Sequence, residues 1–509
     1  MKTDSQNATR FCLPWLICGI FILCGCQPPK PAVRPNIVVL LVDDLGYGDL
    51  RCYNTNSLVP TPHLDRLASQ GMRFTRAYCP VAVCSPTRYA LMTGQYPFRS
   101  WRKSGVMRNY EPSMIDSSLV TLPEMLQDAG YNTAGFGKWH LGTTFPTLDG
   151  KDPAGYGQFR ADDNGANLDL QQPVSDSPMD HGFDRWLGFS CASECWIFDQ
   201  REIIAAIGHD LYTIEATPNK EHIQDIPLQD YLPYITDQTL AYLDQTASQD
   251  DPFFLYFAPY VPHIPLAVSE EFRGKTDGGL YGDYVHELDH YIGLLLRKLD
   301  ELKIADNTIV IFASDNGSQF RATSKAMDLT KASNSPNDVV SPTNAEDVHQ
   351  PNAPLRGTKW TVYEGGVRTP MIIRWPKQVA AGSKADQIFG LHDWMASLAA
   401  MLKYDIPPGS ALDSKDQLSV FTGTDLPIRN EIVVRAGNRI YGLIEQNWKF
   451  IDRRTDSKWT DEDVSGELYN LAVDVEESNN LFKSHPDVVV RMRKKLERTL
   501  AGQDDLNAE

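Results

Sequence analysis

The run Cys84-Ser85-Pro86-Thr87-Arg88, continued by Tyr89-Ala90-Leu91-Met92-Thr93-Gly94, sets a thiol and a guanidinium one helical turn apart. Proline is pre-organised for the start of a helix and Gly94 is a natural stop, so the spacing predicts a helix opening at the cysteine. Free N–H groups and the macrodipole at a helix start favour an anion. A nucleophile in that position, with Arg88 beside it, suits an anionic substrate.

Other chemically capable residues stand at the ends of apolar runs. Asn36-Ile37-Val38-Val39-Leu40-Leu41-Val42 leads to Asp43-Asp44, and Thr308-Ile309-Val310-Ile311-Phe312-Ala313-Ser314 leads to Asp315-Asn316-Gly317. Those side chains offer only oxygen, a donor set for Ca2+ or Mg2+ rather than for zinc or copper. Three carboxylates brought together without a cation would repel one another. The run Tyr131–Phe136 leads to Lys138 and His140 among glycines, and Phe253–Phe257 leads to Pro262-His263. Lys359 lies in Leu355-Arg356-Gly357-Thr358-Lys359. Arg88, Lys138, Lys359 and a cation converging on one pocket would bind a sulfate or phosphate group and stabilise charge in its transition state.

Positioning these residues asks for a particular scaffold. Unbroken β-branched and aromatic runs predict strands covered on both faces, hence a mainly parallel sheet. Met371–Arg374 reads as a further strand. Helical patterns alternate with the strands: Thr61-Pro62 to Gly71, Thr121-Leu122-Pro123-Glu124 to Gly130, and Asp283 to Leu302. The result is an α/β layered fold whose ligands gather beyond the carboxyl ends of the strands. Past Lys403 the texture changes. Arg439–Glu445 and Trp448–Asp452 flank Gln446-Asn447 as a hairpin. Ser484 is placed to cap a closing helix with Val488, Met492, Leu496 and Leu500 on one face. The expected organisation is a catalytic domain over 35–402 and a smaller C-terminal subdomain over 403–509, with an antiparallel sheet and a helix. Gly150–Asp180, Ser190–Pro227 and Gln319–Asn352 read as loops that carry specificity.

A chain of 509 residues has room for such a pair of units. Its net charge of −18 argues against a nucleic-acid partner and requires a locally positive pocket for an anion. Arg73, Arg76, Arg88, Arg99, Arg102, Lys103 and Arg108, clustered around the cysteine motif, are the expected source. At the N-terminus, Lys2 and Arg10 precede an apolar run, Phe11–Gly25, too short to span a bilayer comfortably. It ends in Leu23-Cys24-Gly25-Cys26, which resembles a bacterial lipobox. Residues 1–25 are then a lipoprotein signal peptide, Cys26 carries the lipid, and 26–34 is a Pro-rich tether. The expected location is outside the cytoplasm, anchored by lipid at the bacterial outer membrane or facing the periplasm. In such an oxidising compartment Cys52, Cys79, Cys191 and Cys195 can form one or two disulfides.

As a set, the motifs resemble the type I sulfatases of the alkaline phosphatase superfamily. They are the Asp-Asp strand end, Cys-x-Pro-x-Arg, Gly-Lys-Trp-His, Pro-His, Asp-Asn-Gly, Arg-Gly-x-Lys and Glu-Gly-Gly-x-Arg, in family order. Glu467-Leu468-Tyr469-Asn470-Leu471 with Asn480-Leu481 extends the likeness toward the C-terminus, and Thr87 stands where members commonly carry Ser or Ala. The resemblance implies an alkaline-phosphatase-like α/β/α sandwich and a sulfuric ester hydrolase acting on sulfated carbohydrate or aryl sulfate. It implies that a maturation enzyme converts Cys84 to formylglycine, whose hydrated gem-diol supplies the attacking oxygen. Asp43, Asp44, Asp315, Asn316 and the converted Cys84 would hold Ca2+, with Mg2+ as the alternative. Arg88 would anchor the formylglycine, and Lys138 and Lys359 would grip the sulfate. His263 would help protonate the leaving alcohol, and His140 would contact the diol and assist release of sulfate. Two other readings use the same residues: a phosphonate monoester or phosphodiester hydrolase, and a non-catalytic glycan-binding surface lipoprotein.

Overall fold

The structure, a computed structural model, describes residues 34–502 apart from 160, 162, 192, 195, 209–219, 328, 331–347, 422, 424–427, 438–439 and 454–465. The expected signal peptide, Cys26, most of the tether, Cys195 and much of the 319–352 segment lie outside the described residues.

Five strands make the centre of the molecule. Thr308–Ser314, Asn36–Val42, Phe253–Ala258, Asn132–Lys138 and Arg185–Phe189 lie side by side in that order, all parallel. The first three are buried along their whole length, as unbroken apolar runs require of strands covered on both faces. Register then fixes the site. Val42 pairs with Ser314, so Asp43 and Asp315 leave the sheet at one level. Gly137 pairs with Ala258, which delivers Lys138 and the turn toward His263 to the same end.

Both edges continue the sheet, to eleven strands among the described residues. On one side Met371–Arg374 and Met72–Phe74 pair antiparallel, followed by Ser383–Ala385. On the other come Trp196–Asp199, Glu202–Gly208 and Gln224–Pro227. These last three correct the reading of Ser190–Pro227 as a loop. Ile203, Ala205, Ile207 and Ile226 are buried, and the helix Leu228–Thr246 packs against the last two strands.

Helices occupy Pro62–Gln70, Leu122–Asp128 and Gly279–Glu301, close to the expected spans. Thr121 forms a full capping box: its hydroxyl accepts from the Glu124 N–H at 3.3 Å, and its own N–H donates to Glu124 Oε2 at 2.7 Å. Thr61 makes no such bond. There the His63 and Leu64 N–H groups donate to the Asp289 carboxylate, at 3.1 and 2.8 Å, from the Gly279–Glu301 helix.

From Pro35 onward the chain is one compact unit. Within it Glu431–Arg435, Tyr441–Glu445, Trp448–Asp452 and Gly466–Asn470 form a separate antiparallel sheet, with the expected hairpin at Gln446-Asn447. The closing helix runs over Pro486–Leu500, and its N-cap is His485 rather than Ser484. The Ser484 hydroxyl turns back to the Leu481 carbonyl at 3.0 Å, while Pro486 fills the first helical position. Ile432, Leu443, Phe450 and Met492 share one hydrophobic core with Phe74, Phe389 and Trp394 of the larger part.

Of the four cysteines expected to supply one or two disulfides, Cys52, Cys79 and Cys191 are free thiols, and Cys195 lies outside the described residues. Two of them have other company: Cys79 Sγ is 3.3 Å from the Val367 carbonyl, and Cys191 Sγ is 3.3 Å from Ser193 Oγ.

Candidate active site

Cys84 opens a ten-residue helix, Cys84–Thr93, in which every residue is buried and which Gly94 ends in a left-handed conformation at φ 66°. The Cys84 thiol lies 3.5 Å from Asp43 Oδ1. Asp44 follows at φ 65°, a left-handed turn that breaks strand alternation so that neighbouring carboxylates share one site. Its N–H donates to Asp315 Oδ1 at 3.2 Å, and Asn316 Nδ2 donates to Asp44 Oδ1 at 2.6 Å.

Three cations close around these acids. Arg88 Nε and Nη2 donate to Asp315 Oδ2 at 3.1 and 2.8 Å, while Nη1 donates to the Lys138 carbonyl at 2.9 Å and to Tyr256 Oη at 3.3 Å. Lys138 Nζ is 2.5 Å from Asp43 Oδ2 and stands 5.2 Å over the Tyr260 ring. Lys359 Nζ is 2.7 Å from Asp44 Oδ2. His263 Nε2 lies 3.7 Å from the same oxygen. Donor atoms of Asp43, Asp44, Cys84 and His263 all fall within 4.8 Å of one another.

Proton positions follow from the acceptors. His263 Nδ1 faces the Ile264 carbonyl at 2.5 Å, and a carbonyl only accepts, so Nδ1 carries the hydrogen and Nε2 a lone pair. His140 is arranged the other way. Its Nε2 donates to the Met107 carbonyl at 3.1 Å, and its buried Nδ1 has no hydrogen-bond partner among the described residues. Burial, joined by Lys359 for His263 and by Lys138 and Arg88 for His140, holds both rings well below the usual imidazole range. Both are neutral bases at pH 7.

The acids divide. Burial opposes ionisation of Asp43, but Lys138, His263, Arg88 and Lys359 together outweigh it and keep that carboxyl well below its ordinary value. Burial raises Asp44 against the pull of Lys359. Asp315 is pushed up to about 7 by burial and by Asp43. Burial and then Asp43 also push the Cys84 thiol up. The thiol is therefore protonated, which corrects the expectation drawn from its helix start alone.

A hard cation fits this donor set. Asn316 commits its amide N–H to Asp44, which leaves Oδ1 buried without a partner among the described residues, beside three carboxylates. The basic cluster around the cysteine motif contributes only Arg88 to the site. Arg73 binds the Cys52 carbonyl, Arg76 the Gln446 carbonyl, Arg99 the Asp413 carboxylate and Arg102 the Glu111 carboxylate. The pocket's other positive charges come from distant segments, as Lys138 and Lys359. Tyr256 is a participant that sequence reading passed over as part of an apolar strand. Its signal was a polar tip within a buried run, which needs a partner.

A family profile described as Sulfatase matches residues 35–404. The chain belongs to the sulfatase family. This sulfatase is 31% identical to the N-acetylgalactosamine-6-O-sulfatase of Bacteroides thetaiotaomicron, over 97% of its own chain and 99% of the relative. It is also 31% identical to human arylsulfatase A, over 77% of its own chain and 68% of that protein. A solved structure from work on glycosaminoglycan metabolism by B. thetaiotaomicron matches with a TM-score of 0.76 at 29% identity, covering 92% of this chain and 100% of that one. The phosphonate monoester hydrolase of Agrobacterium radiobacter matches with a TM-score of 0.57 at 18% identity, over 92% and 96% of the two chains. That last likeness is one of fold alone. The expected α/β sandwich of the alkaline phosphatase superfamily, with its small antiparallel C-terminal sheet, is the fold observed.

Proposed function

We propose that this sulfatase removes sulfate from a sulfated carbohydrate, with 6-O-sulfated N-acetylgalactosamine as the sugar. The sugar assignment is supported by the relative of that activity, which matches almost end to end. The observation that carries the chemistry is the buried meeting of Cys84, Asp43, Asp44, Lys138, Lys359 and His263 at the carboxyl ends of the parallel strands.

Asp43, Asp44, Asp315 and Asn316 would hold Ca2+ or Mg2+, and a maturation enzyme would convert Cys84 to formylglycine. When present, the cation polarises a sulfate oxygen and acidifies the hydrated aldehyde, which supplies the nucleophile. The chain's own residues do the rest. Arg88 locks Asp315 and the Lys138 backbone into one geometry. The Lys138 and Lys359 ammonium groups bind the sulfate oxygens and stabilise the charge that grows on them. His263 Nε2, held as a lone pair by burial and by Lys359, would take a proton from solvent together with the anionic substrate and pass it to the leaving alcohol. His140 Nδ1, with its free lone pair, accepts a proton when sulfate is released.

The test uses protein made in a host with the maturation activity. Initial rates are compared on the 6-sulfate and 4-sulfate of N-acetylgalactosamine, the 6-sulfate of N-acetylglucosamine, and an aryl phosphodiester. Fastest release from the first supports the reading. Preference for another sugar sulfate overturns the sugar assignment, and faster phosphodiester turnover overturns the chemistry. Mass analysis of the Cys84 peptide decides the formylglycine step, because an unmodified thiol in active enzyme contradicts it. The export reading predicts metabolic palmitate labelling that disappears in Cys26→Ser; equal labelling of both proteins removes the proposed anchor.

A further inference from the structure

The loop 101–108 ties the active site to a solvent-facing patch of rings and cations. At its inner end Val106 packs with Val83 and Cys84. The Met107 N–H donates to Ser85 Oγ at 3.0 Å, and the Met107 carbonyl accepts from His140 at 3.1 Å. The loop is thus fastened on both sides of the reactive position. Three of its side chains face solvent: Trp101 is 52% exposed, and Lys103 and Arg108 are exposed as well.

A second segment comes alongside. Arg108 Nη1 donates to the Gly157 carbonyl at 3.1 Å, and the guanidinium lies 5.2 Å over the ring of Phe159, itself 44% exposed. Arg102 stacks 5.0 Å over Trp101 and is neutralised by Glu111. Arg108 also lies near enough to Arg102 to depress its proton affinity, second only to burial. The Arg108 backbone N–H donates to Glu111 Oε2 at 2.8 Å, but among the described residues its guanidinium meets a carbonyl and a ring and no carboxylate, and Lys103 offers its carbonyl to Arg435 while its ammonium is unpaired. Two cationic heads with no carboxylate partner, on the loop that packs against Cys84, run against a chain of net charge −18. Exposed rings braced by arginines offer flat apolar faces to the C–H face of a pyranose.

We propose that Trp101, Lys103, Arg108 and Phe159 form a subsite for the sugar adjoining the sulfated one, with Arg108 and Lys103 meeting an acidic group on it. The acidic group is a carboxylate or a second sulfate, and the subsite rests on the saccharide reading given above. The rings position the neighbouring pyranose, and the cations select for charge.

The test compares the 6-sulfated monosaccharide with three disaccharides that join it to a hexuronic acid, a sulfated hexose or a neutral hexose. The wild-type enzyme is expected to favour an acidic neighbour over the neutral one. Arg108→Ala should lower kcat/KM on an acidic disaccharide about tenfold and leave the monosaccharide rate unchanged. Phe159→Ala should slow all three disaccharides, and Arg108→Lys should restore part of the Arg108→Ala loss. The acidic disaccharide that suffers more from Arg108→Ala identifies carboxylate or sulfate. Equal losses on monosaccharide and disaccharides, or no loss on either acidic disaccharide, overturn the subsite. Hydrolysis of an aryl sulfate with none of any saccharide shows instead that the saccharide reading has failed, and the subsite falls with it.

Discussion

Arg88 carries the geometry of the cluster, since one fully buried guanidinium holds Asp315, the Lys138 carbonyl and Tyr256. Arg88→Ala leaves a buried carboxylate unpaired and should cost about 3–5 kcal/mol in urea unfolding, with activity lost. Tyr256→Phe removes a single neutral partner and should cost about 1 kcal/mol with a smaller fall in kcat. A Tyr256→Phe enzyme as inactive as Arg88→Ala would show that the hydroxyl acts on substrate directly. Glu194 gives a separate test by pH. Fully buried, it accepts from the Cys191 N–H at 3.3 Å and from the Tyr110 N–H, and burial pushes it up to about 8. A carboxyl raised in the folded state contributes stability that is complete below its unfolded value and is lost as pH rises through the folded one. Wild type should therefore lose stability between about pH 5 and about pH 8 more steeply than Glu194→Gln, by up to about 1.4 kcal/mol per pH unit. Coincident profiles would mean that no proton is held there. The strand-end acids were legible in the sequence because apolar runs announce where a strand stops and polar chemistry begins. Glu194 was not, because its burial depends on Tyr110 and on a strand edge that no local pattern reveals.

At the scale of elements, the helices Pro62–Gln70 and Leu122–Asp128 show when a local signal suffices. Thr121 and Glu124 cap each other, at the start of a helix whose span the sequence pattern predicted. Thr61 has a similar spacing, yet Asp289 does the capping from another helix, because its buried carboxylate reaches both free N–H groups. Asp289→Ala should cost about 1–2 kcal/mol by chemical denaturation, and Asp289→Asn distinctly less, since it keeps an acceptor. Equal costs for the two would place the effect in packing rather than in the cap. The same logic explains the segment from Ser190 to Pro227. Its short strands are stabilised by the sheet edge they extend and by the helix above them, neither of which is written in their own sequence. The hairpin at Gln446-Asn447 was readable because turn and strands are contiguous.

For the whole molecule, the family match ends at residue 404 but the core does not. Lys449, from the small sheet, is fully buried and lies 2.9 Å from both Glu364 and Glu477, and the Glu364 N–H donates to Glu477 at 2.7 Å. Glu364 begins the turn that follows Lys359, so the C-terminal sheet braces the segment bearing the lysine proposed to bind sulfate. Lys449→Met should destabilise by about 3–5 kcal/mol and lower kcat although it touches no substrate. Unchanged stability would mean that the two glutamates find protons instead. The burial of Cys84, 2% exposed inside a helix with no outward face, also bears on the order of events in the cell. A thiol so little exposed can admit a small sulfate ester but not the active site of another enzyme, which must act while the chain is unfinished. The proposed conversion is then a race against closure, and a molecule that folds first is trapped as a silent copy. Folded, unconverted protein mixed with the maturation enzyme should stay inactive, while an unfolded peptide spanning the motif is converted; activation of the folded form would show that the fold reopens.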